Sequence, residues 1–85
     1  MWYVYMVRCA DDSLYTGITN DVVRRVEEHN HPMKAAKYTR ARQPVRLVYS
    51  ERKKSRSTAS KREAELKKLP RSAKLLLIGE YKEVP

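Results

Sequence analysis

The sequence predicts an α+β domain, a small three-stranded antiparallel sheet flanked by helices in the order β-β-α-β-α-α. Three observations carry that expectation. Two short runs rich in aromatic and β-branched residues, WYVYMVR and LYTGIT, are separated only by the turn-forming stretch CADDS. A third run, VRLVYSE, alternates in the same way further along the chain. Helix-like stretches follow the second and third runs and stop at Pro32, Pro70 and Gly79. Strands followed by helices imply a sheet with helices laid against it.

Each element has a local reason. Residues 2–8 are almost continuously apolar, the pattern of a central strand. Residues 10–13 (ADDS) suit a turn, because Asp side chains bond their own backbone. Residues 14–19 return as the second strand of a hairpin. Gly17 lies inside that strand, where glycine weakens pairing unless a close-approaching group needs the space. Thr19-Asn20-Asp21 starts a helix that runs to about Asn30 and ends before Pro32. On a wheel of about 100° per residue, Val22, Val23 and Val26 form its buried stripe, with Arg24 and Glu28 opposite. Residues 31–42 form a polar, basic connection with a short helical turn through residues 35–38. Residues 45–51 make the third strand and residues 52–57 a basic loop. Residues 57–69 form a helix with Ser60-x-x-Glu63 as a capping box, closed by Pro70. Residues 71–78 make a last short helix, stopped by Gly79.

Composition narrows the function classes. At 85 residues the chain is expected to be one domain, residues 1–85, with a modest core. Its 41% hydrophobic and 34% charged residues argue against disorder. The apolar run at residues 75–78 is far too short for a membrane span. Residues 1–7 lead into Arg8 and an acidic turn with no signal-peptide cleavage site. The lone Cys9 excludes an internal disulfide and an ordinary Cys-based zinc site, and suits a small buried hydrophobe. The expectation is a cytoplasmic protein with no membrane partner and no small-molecule cofactor.

The net charge of +9 is unevenly spread. Residues 1–30 hold three basic and five acidic side chains, whereas residues 31–56 hold nine basic side chains against Glu51 alone. Lys34, Lys37, Arg40, Arg42, Arg52, Lys53 and Lys54 in that block suit a polyanion, nucleic acid above all. A merely solubilising surface is the plain alternative.

The chemistry-bearing residues fall on the hairpin and two helices. Arg25 and His29 are four residues apart on one shoulder of the first helix. Arg offers a planar fork matched to phosphate, and His offers a proton acceptor near neutral pH. Spacing alone points first to an ordinary amphipathic helix with two polar flanks. Tyr3 and Tyr5 share one strand face, and Tyr15 stands on the partner strand; packing is the common role of such residues. Glu63 and Glu65 border the apolar stripe of Ala59, Leu66 and Leu69, either as a cap or as a metal ligand.

Taken in order, Val4-Tyr5, Tyr15-Thr16-Gly17, Arg25, His29 and a helix carrying Glu63 resemble the GIY-YIG nuclease family. The stretches WYVY, SLYTGITND, AKYTR and KREAELKKL suit its small stand-alone members, and the resemblance spans residues 2–77. It implies that Tyr5 and Tyr15 are the tyrosines of GIY and YIG and that Gly17 gives a phosphate room beside the sheet. It further implies that Arg25 stabilises the reacting phosphate, with His29 one turn later, and that Glu63 holds a single Mg²⁺ or Mn²⁺. The implied activity is metal-dependent hydrolysis of DNA phosphodiester bonds, structure-specific or repair-related. Tyr3 and Thr16 depart from the family pattern, no asparagine follows Asn30, with Lys74 the nearest polar helical residue there, and no second DNA-binding domain is expected. A non-catalytic nucleic-acid-binding module on the same fold is the alternative, and a protein-interaction domain with a basic face is a third.

Overall fold

β1 (Trp2–Arg8) and β2 (Leu14–Thr19) form the expected hairpin with the expected bounds. The structure is a computed structural model and describes residues 1–81. In the turn, the Asp11 carboxylate accepts from the Ser13 backbone N–H at 3.1 Å and from its hydroxyl at 2.6 Å. Asp12 takes a left-handed φ of 71°, which Asp tolerates better than most residues.

β3 (Arg46–Lys53) pairs with the other edge of β1, giving the antiparallel order β2-β1-β3. The near-continuous apolar strand is therefore the central one, covered on both faces. The register steps from Met6↔Tyr49 to Val7↔Leu47, so Val48 is bulged. Arg52 and Lys53, expected in a loop, continue β3 opposite Tyr3 and Trp2. The reason is that β1 offers backbone hydrogen bonds along its whole length, and leaving them unpaired would be costly.

The two faces of β1 bury different things. Val4 and Met6 pack with Tyr49, Ala59 and Leu66, joined by Leu69, Leu77 and Ile78. This core lies between the sheet and α3 (Arg56–Lys67) and α4 (Arg71–Glu80). Tyr5 and Val7 face the other way and pack with Cys9, Val45, Tyr15, Val26 and Leu47. That second cluster is covered by α1 (Val22–His29), whose N-cap Asp21 accepts from the Arg24 N–H. Cys9 is buried just past the end of β1, as expected, and burial pushes its thiol pKa up.

Three helix expectations need correction. α3 begins at Arg56, because Ser55 is its cap. The Ser55 hydroxyl accepts from the Thr58 N–H, and the Thr58 hydroxyl accepts from the Ser55 N–H. Ser60 and Glu63 therefore form no capping box; both lie inside the helix, where no free N–H remains to be capped. α4 runs through Gly79 to Glu80, since nothing at that position forces a left-handed turn. α2 (Lys37–Arg40) lies two residues later than the expected helical turn.

α1 is rotated from the valine-based wheel. Val23 is 71% exposed, Val22 and Val26 are half-buried, and His29 is fully buried. The inward stripe is Val22, Arg25, Val26 and His29, and Glu28, expected on the solvent face, is half-buried beside it. Two turns of helix carry too few apolar residues to fix an orientation by themselves. Polar side chains that find partners on the sheet and α2 settle it instead.

Candidate active site

The site is assembled on the α1 face of the hairpin. Tyr5 stands directly opposite Gly17 in the β1–β2 register. A Cβ at residue 17 would lie 2.7 Å from the Tyr5 hydroxyl and 2.9 Å from Cζ. The missing side chain is thus filled by the Tyr5 ring, which lies across the edge strand and carries its hydroxyl to α1. Gly17 keeps ordinary negative φ, so the position needs space and not an unusual backbone.

The Tyr5 hydroxyl meets His29 Nε2 at 2.6 Å. The other ring nitrogen, Nδ1, meets Thr39 Oγ1 at 2.8 Å, and Thr39 is completely buried. Tyr15, two residues along the same face of β2, packs edge-on against the imidazole with ring centroids 5.1 Å apart. The C-terminal end of α1 is fastened to the sheet side by Asn30, whose amide donates to Val45 O (2.9 Å) and accepts from Val45 N–H (2.7 Å). Gln43 adds a bond to the His29 carbonyl at 2.8 Å.

Arg25 lies one turn before His29 with its side chain 26% exposed, paired to Glu28 at 3.1 Å. Its guanidinium is near enough to the Tyr5 phenol to draw that pKa down. Burial, reinforced by Tyr15, outweighs Arg25 and pushes Tyr5 up to about 12, and Glu63 on α3 adds to the rise. Burial, reinforced by Arg25, pushes His29 down to about 4, with Glu28 opposing. At pH 7 the resting site therefore holds a neutral phenol bonded to a neutral imidazole.

The two glutamates left open by periodicity now separate. The Glu63 side chain is 23% exposed and is electrostatically coupled to Tyr5, with one surface contact to Lys67 at 3.6 Å. Glu65 is 54% exposed and pairs with Arg62 on the outer side of α3. Among the described residues no three His, Cys, Asp or Glu side chains come together as a metal cage. A lone, partly shielded carboxylate fits a hard divalent ion that keeps most of its water and takes further oxygens from a phosphate.

The basic block divides in space. Lys37 and Arg40 lie in α2 and Arg42 just after it, where the Arg42 carbonyl bonds Ala10 and its guanidinium pairs with Asp11 at 3.0 Å, beyond the Arg8 end of β1, while Lys34 lies beside Arg24, Glu27 and Glu28 of α1. Arg52, Lys53 and Lys54 lie at the Trp2 end, about 20 Å away along the strand. Arg42 is also stacked 3.9 Å over the Tyr38 ring, and Lys53 is held by Glu51 at 2.9 Å. Lys34, Lys37, Arg40, Arg52 and Lys54 make no ion pair among the described residues.

Thr39 and Tyr38 escaped the sequence reading. Tyr38 stacks on Tyr15 with centroids 5.8 Å apart, closing the outer side of the site. Both stand in AKYTR, where the basic residues are the visible feature and no periodicity marks a buried hydroxyl.

Comparison with known proteins places the chain in a family. Residues 1–75 match the model of the GIY-YIG catalytic domain. The chain belongs to the GIY-YIG family. A relative from Desulfotalea psychrophila, UPF0213 protein DP2720, is 53% identical over 77 residues, covering 91% of this chain and 70% of that one. The solution structure of UPF0213 protein BH0048 from Bacillus halodurans is 45% identical with a TM-score of 0.58, covering 93% of this chain and 84% of that one. That of protein EF2693 from E. faecalis is 37% identical with a TM-score of 0.59, covering 98% and 92%. The GIY-YIG family is one of nucleases, which makes nucleic acid the substrate class. Among the described residues no helix is long and apolar enough to cross a membrane.

Proposed function

We propose that this GIY-YIG protein hydrolyses phosphodiester bonds in DNA with one Mg²⁺ or Mn²⁺, at branched, flapped or damaged sites. The observation that carries the reading is the 2.6 Å bond from the Tyr5 hydroxyl to His29 Nε2, with Tyr15 against the same imidazole and Arg25 beside the phenol.

A phenol with a pKa near 12 is ionised in about one molecule in 10⁵ at pH 7, so Tyr5 is a poor standing base. It serves better as a relay. As a water loses a proton to the Tyr5 oxygen, Tyr5 passes its own proton to His29 Nε2. The water oxygen bonds to phosphorus, the ester bond on the far side breaks, and the leaving oxygen takes a proton from solvent. An anionic phosphate beside the imidazole favours its protonated form and lowers the cost of the transfer. Arg25 presents a permanent cation to the non-bridging oxygens, exchanging Glu28 for the phosphate. Glu63 would hold the divalent ion, which supplies charge stabilisation at the leaving oxygen when bound.

The Arg25–Glu28 pair also suits a protein that only binds nucleic acid, and one experiment separates the two. Purified protein is assayed with Mg²⁺ or Mn²⁺ on single-stranded, duplex, flap and junction DNA, beside Arg25→Ala and Arg24→Ala. Arg25→Ala should slow single-turnover cleavage at least about a hundredfold, the usual cost of losing a preorganised donor to a developing oxyanion. Arg24 is exposed and bonded to Asn20 and Glu28, so its removal should change the rate by only a few fold. Arg25→Lys should not restore activity, because the planar fork is lost. Cleavage that survives Arg25→Ala would refute the site, and no cleavage by any form, with weaker binding by Arg25→Ala, would favour the binding module.

A further inference from the structure

The proton positions around His29 follow from counting donors and acceptors in a closed set of groups. Among the described residues the Tyr5 hydroxyl has one acceptor within hydrogen-bond reach, His29 Nε2. Its other close polar neighbour, Arg25, can only donate. If Nε2 carried a proton, the Tyr5 oxygen would face two donors and its own proton would have no destination. Placing the proton on Nδ1 removes the conflict. Nδ1–H then donates to Thr39 Oγ1 at 2.8 Å, and the Thr39 hydroxyl donates to the Ala36 carbonyl at 3.2 Å. Every proton in the series has an acceptor, and all run in one direction, from Tyr5 toward α2.

We propose that Thr39 is a positioning residue, whose buried hydroxyl accepts the Nδ1 proton of His29 and so keeps the Nε2 lone pair aimed at Tyr5. The proposal deepens the nuclease reading and rests on it for its catalytic consequence, though not for its structural content. Which nitrogen of a histidine is free is set by the partner of the other. Here that partner lies ten residues away, on a helix of four residues. α2 is held in place by independent contacts. Arg42 donates to the Tyr38 carbonyl at 2.9 Å and pairs with Asp11, and Tyr38 stacks on Tyr15. The loop between α1 and β3 thereby fixes the direction in which the site can move a proton.

The test uses ¹⁵N NMR of the imidazole in the whole chain, together with the single-turnover assay on Thr39→Val and Thr39→Ser. The unmodified protein and Thr39→Ser should show His29 as the Nδ1–H tautomer. Thr39→Val, similar in shape but without a hydroxyl, should shift the ring toward the Nε2–H form. It should also slow cleavage at least about tenfold at unchanged KM, the scale of losing a partner that orients a functional histidine. Thr39→Ser should retain the rate within a few fold. An Nε2–H tautomer in the unmodified protein overturns the proposal, and that measurement stands even if Thr39→Val fails to fold. Unchanged tautomer and rate in a folded Thr39→Val would also overturn it. If the unmodified protein cuts no substrate, the nuclease reading fails, while the tautomers still decide whether Thr39 sets the ring.

Discussion

Substituting Gly17 by Ala should lower both stability and cleavage, and the sign of the stability change is informative. In a strand with ordinary backbone angles, Gly→Ala by itself is stabilising by roughly 0.5–1 kcal/mol, because the unfolded chain loses freedom. Residue 17 has such angles. The new methyl, however, would stand 2.7, 2.9 and 3.1 Å from the Tyr5 hydroxyl, Cζ and Cε1. The nearest contact is about 0.7 Å inside ordinary van der Waals distance. Tyr5 is 1% exposed, and its hydroxyl is already committed to His29 at 2.6 Å, so the ring cannot swing away without breaking that bond. Overpacking a close-packed site costs about 1–3 kcal/mol. The net loss should be near the middle of about 0–2.5 kcal/mol, on the order of 1 kcal/mol, a fall in Tm of roughly 4–8 °C for a chain of this size. Thermal unfolding by circular dichroism measures it, with the single-turnover assay alongside. Tyr5→Phe in the same background should recover only part of the stability, since the contacts at Cζ and Cε1 remain, and none of the activity. A Gly17→Ala protein as stable as the parent and equally active would show that the cavity at Gly17 does not hold Tyr5 in place.

Three further outcomes are expected. Glu63→Gln should abolish divalent-ion-dependent cleavage while nucleic-acid binding survives, whereas Glu65→Gln, which loses only an exposed pairing with Arg62, should be nearly silent in both assays. The folded-state pKa of His29 lies below its unfolded value near 6.5, so the unfolded chain binds the extra proton and stability falls as pH drops from about 6.5 toward 4; the loss is on the order of 3 kcal/mol, and denaturant titrations across that window should lose this part of the slope in His29→Gln. If both ends of the sheet meet a polyanion, replacing Lys34 and Lys37, or Arg52 and Lys54, by Ala should flatten the log–log dependence of affinity on salt, by about 0.9 per lost phosphate contact on duplex. Lys53→Ala, already tied to Glu51, should leave that slope unchanged.

What could be seen in the sequence is what depends on neighbours along the chain. The hairpin came from two β-rich runs and an Asp-rich turn, and its bounds held to the residue because pairing and turn chemistry are local. The third strand and the long helix were legible as periodic runs, with errors at the ends where local signals compete. Ser60-x-x-Glu63 fits the sequence pattern of a capping box, yet the helix begins at Arg56 on a cap formed by Ser55 and Thr58. The family pattern further brought Tyr5, Tyr15, Gly17, Arg25, His29 and Glu63 to notice as a set. How they are used was decided in three dimensions. His29 joins Tyr5 across 24 residues and Thr39 across ten, and a buried hydrogen bond between distant side chains leaves no periodic trace. The same bonds set the rotation of α1, leaving Val23 in solvent while Val22 and Val26 stay inward, since burying an imidazole is tolerable only where both nitrogens find partners. The basic block is contiguous in the chain, yet β3 carries its two halves to opposite ends of the sheet, because a strand of eight residues must span its own length.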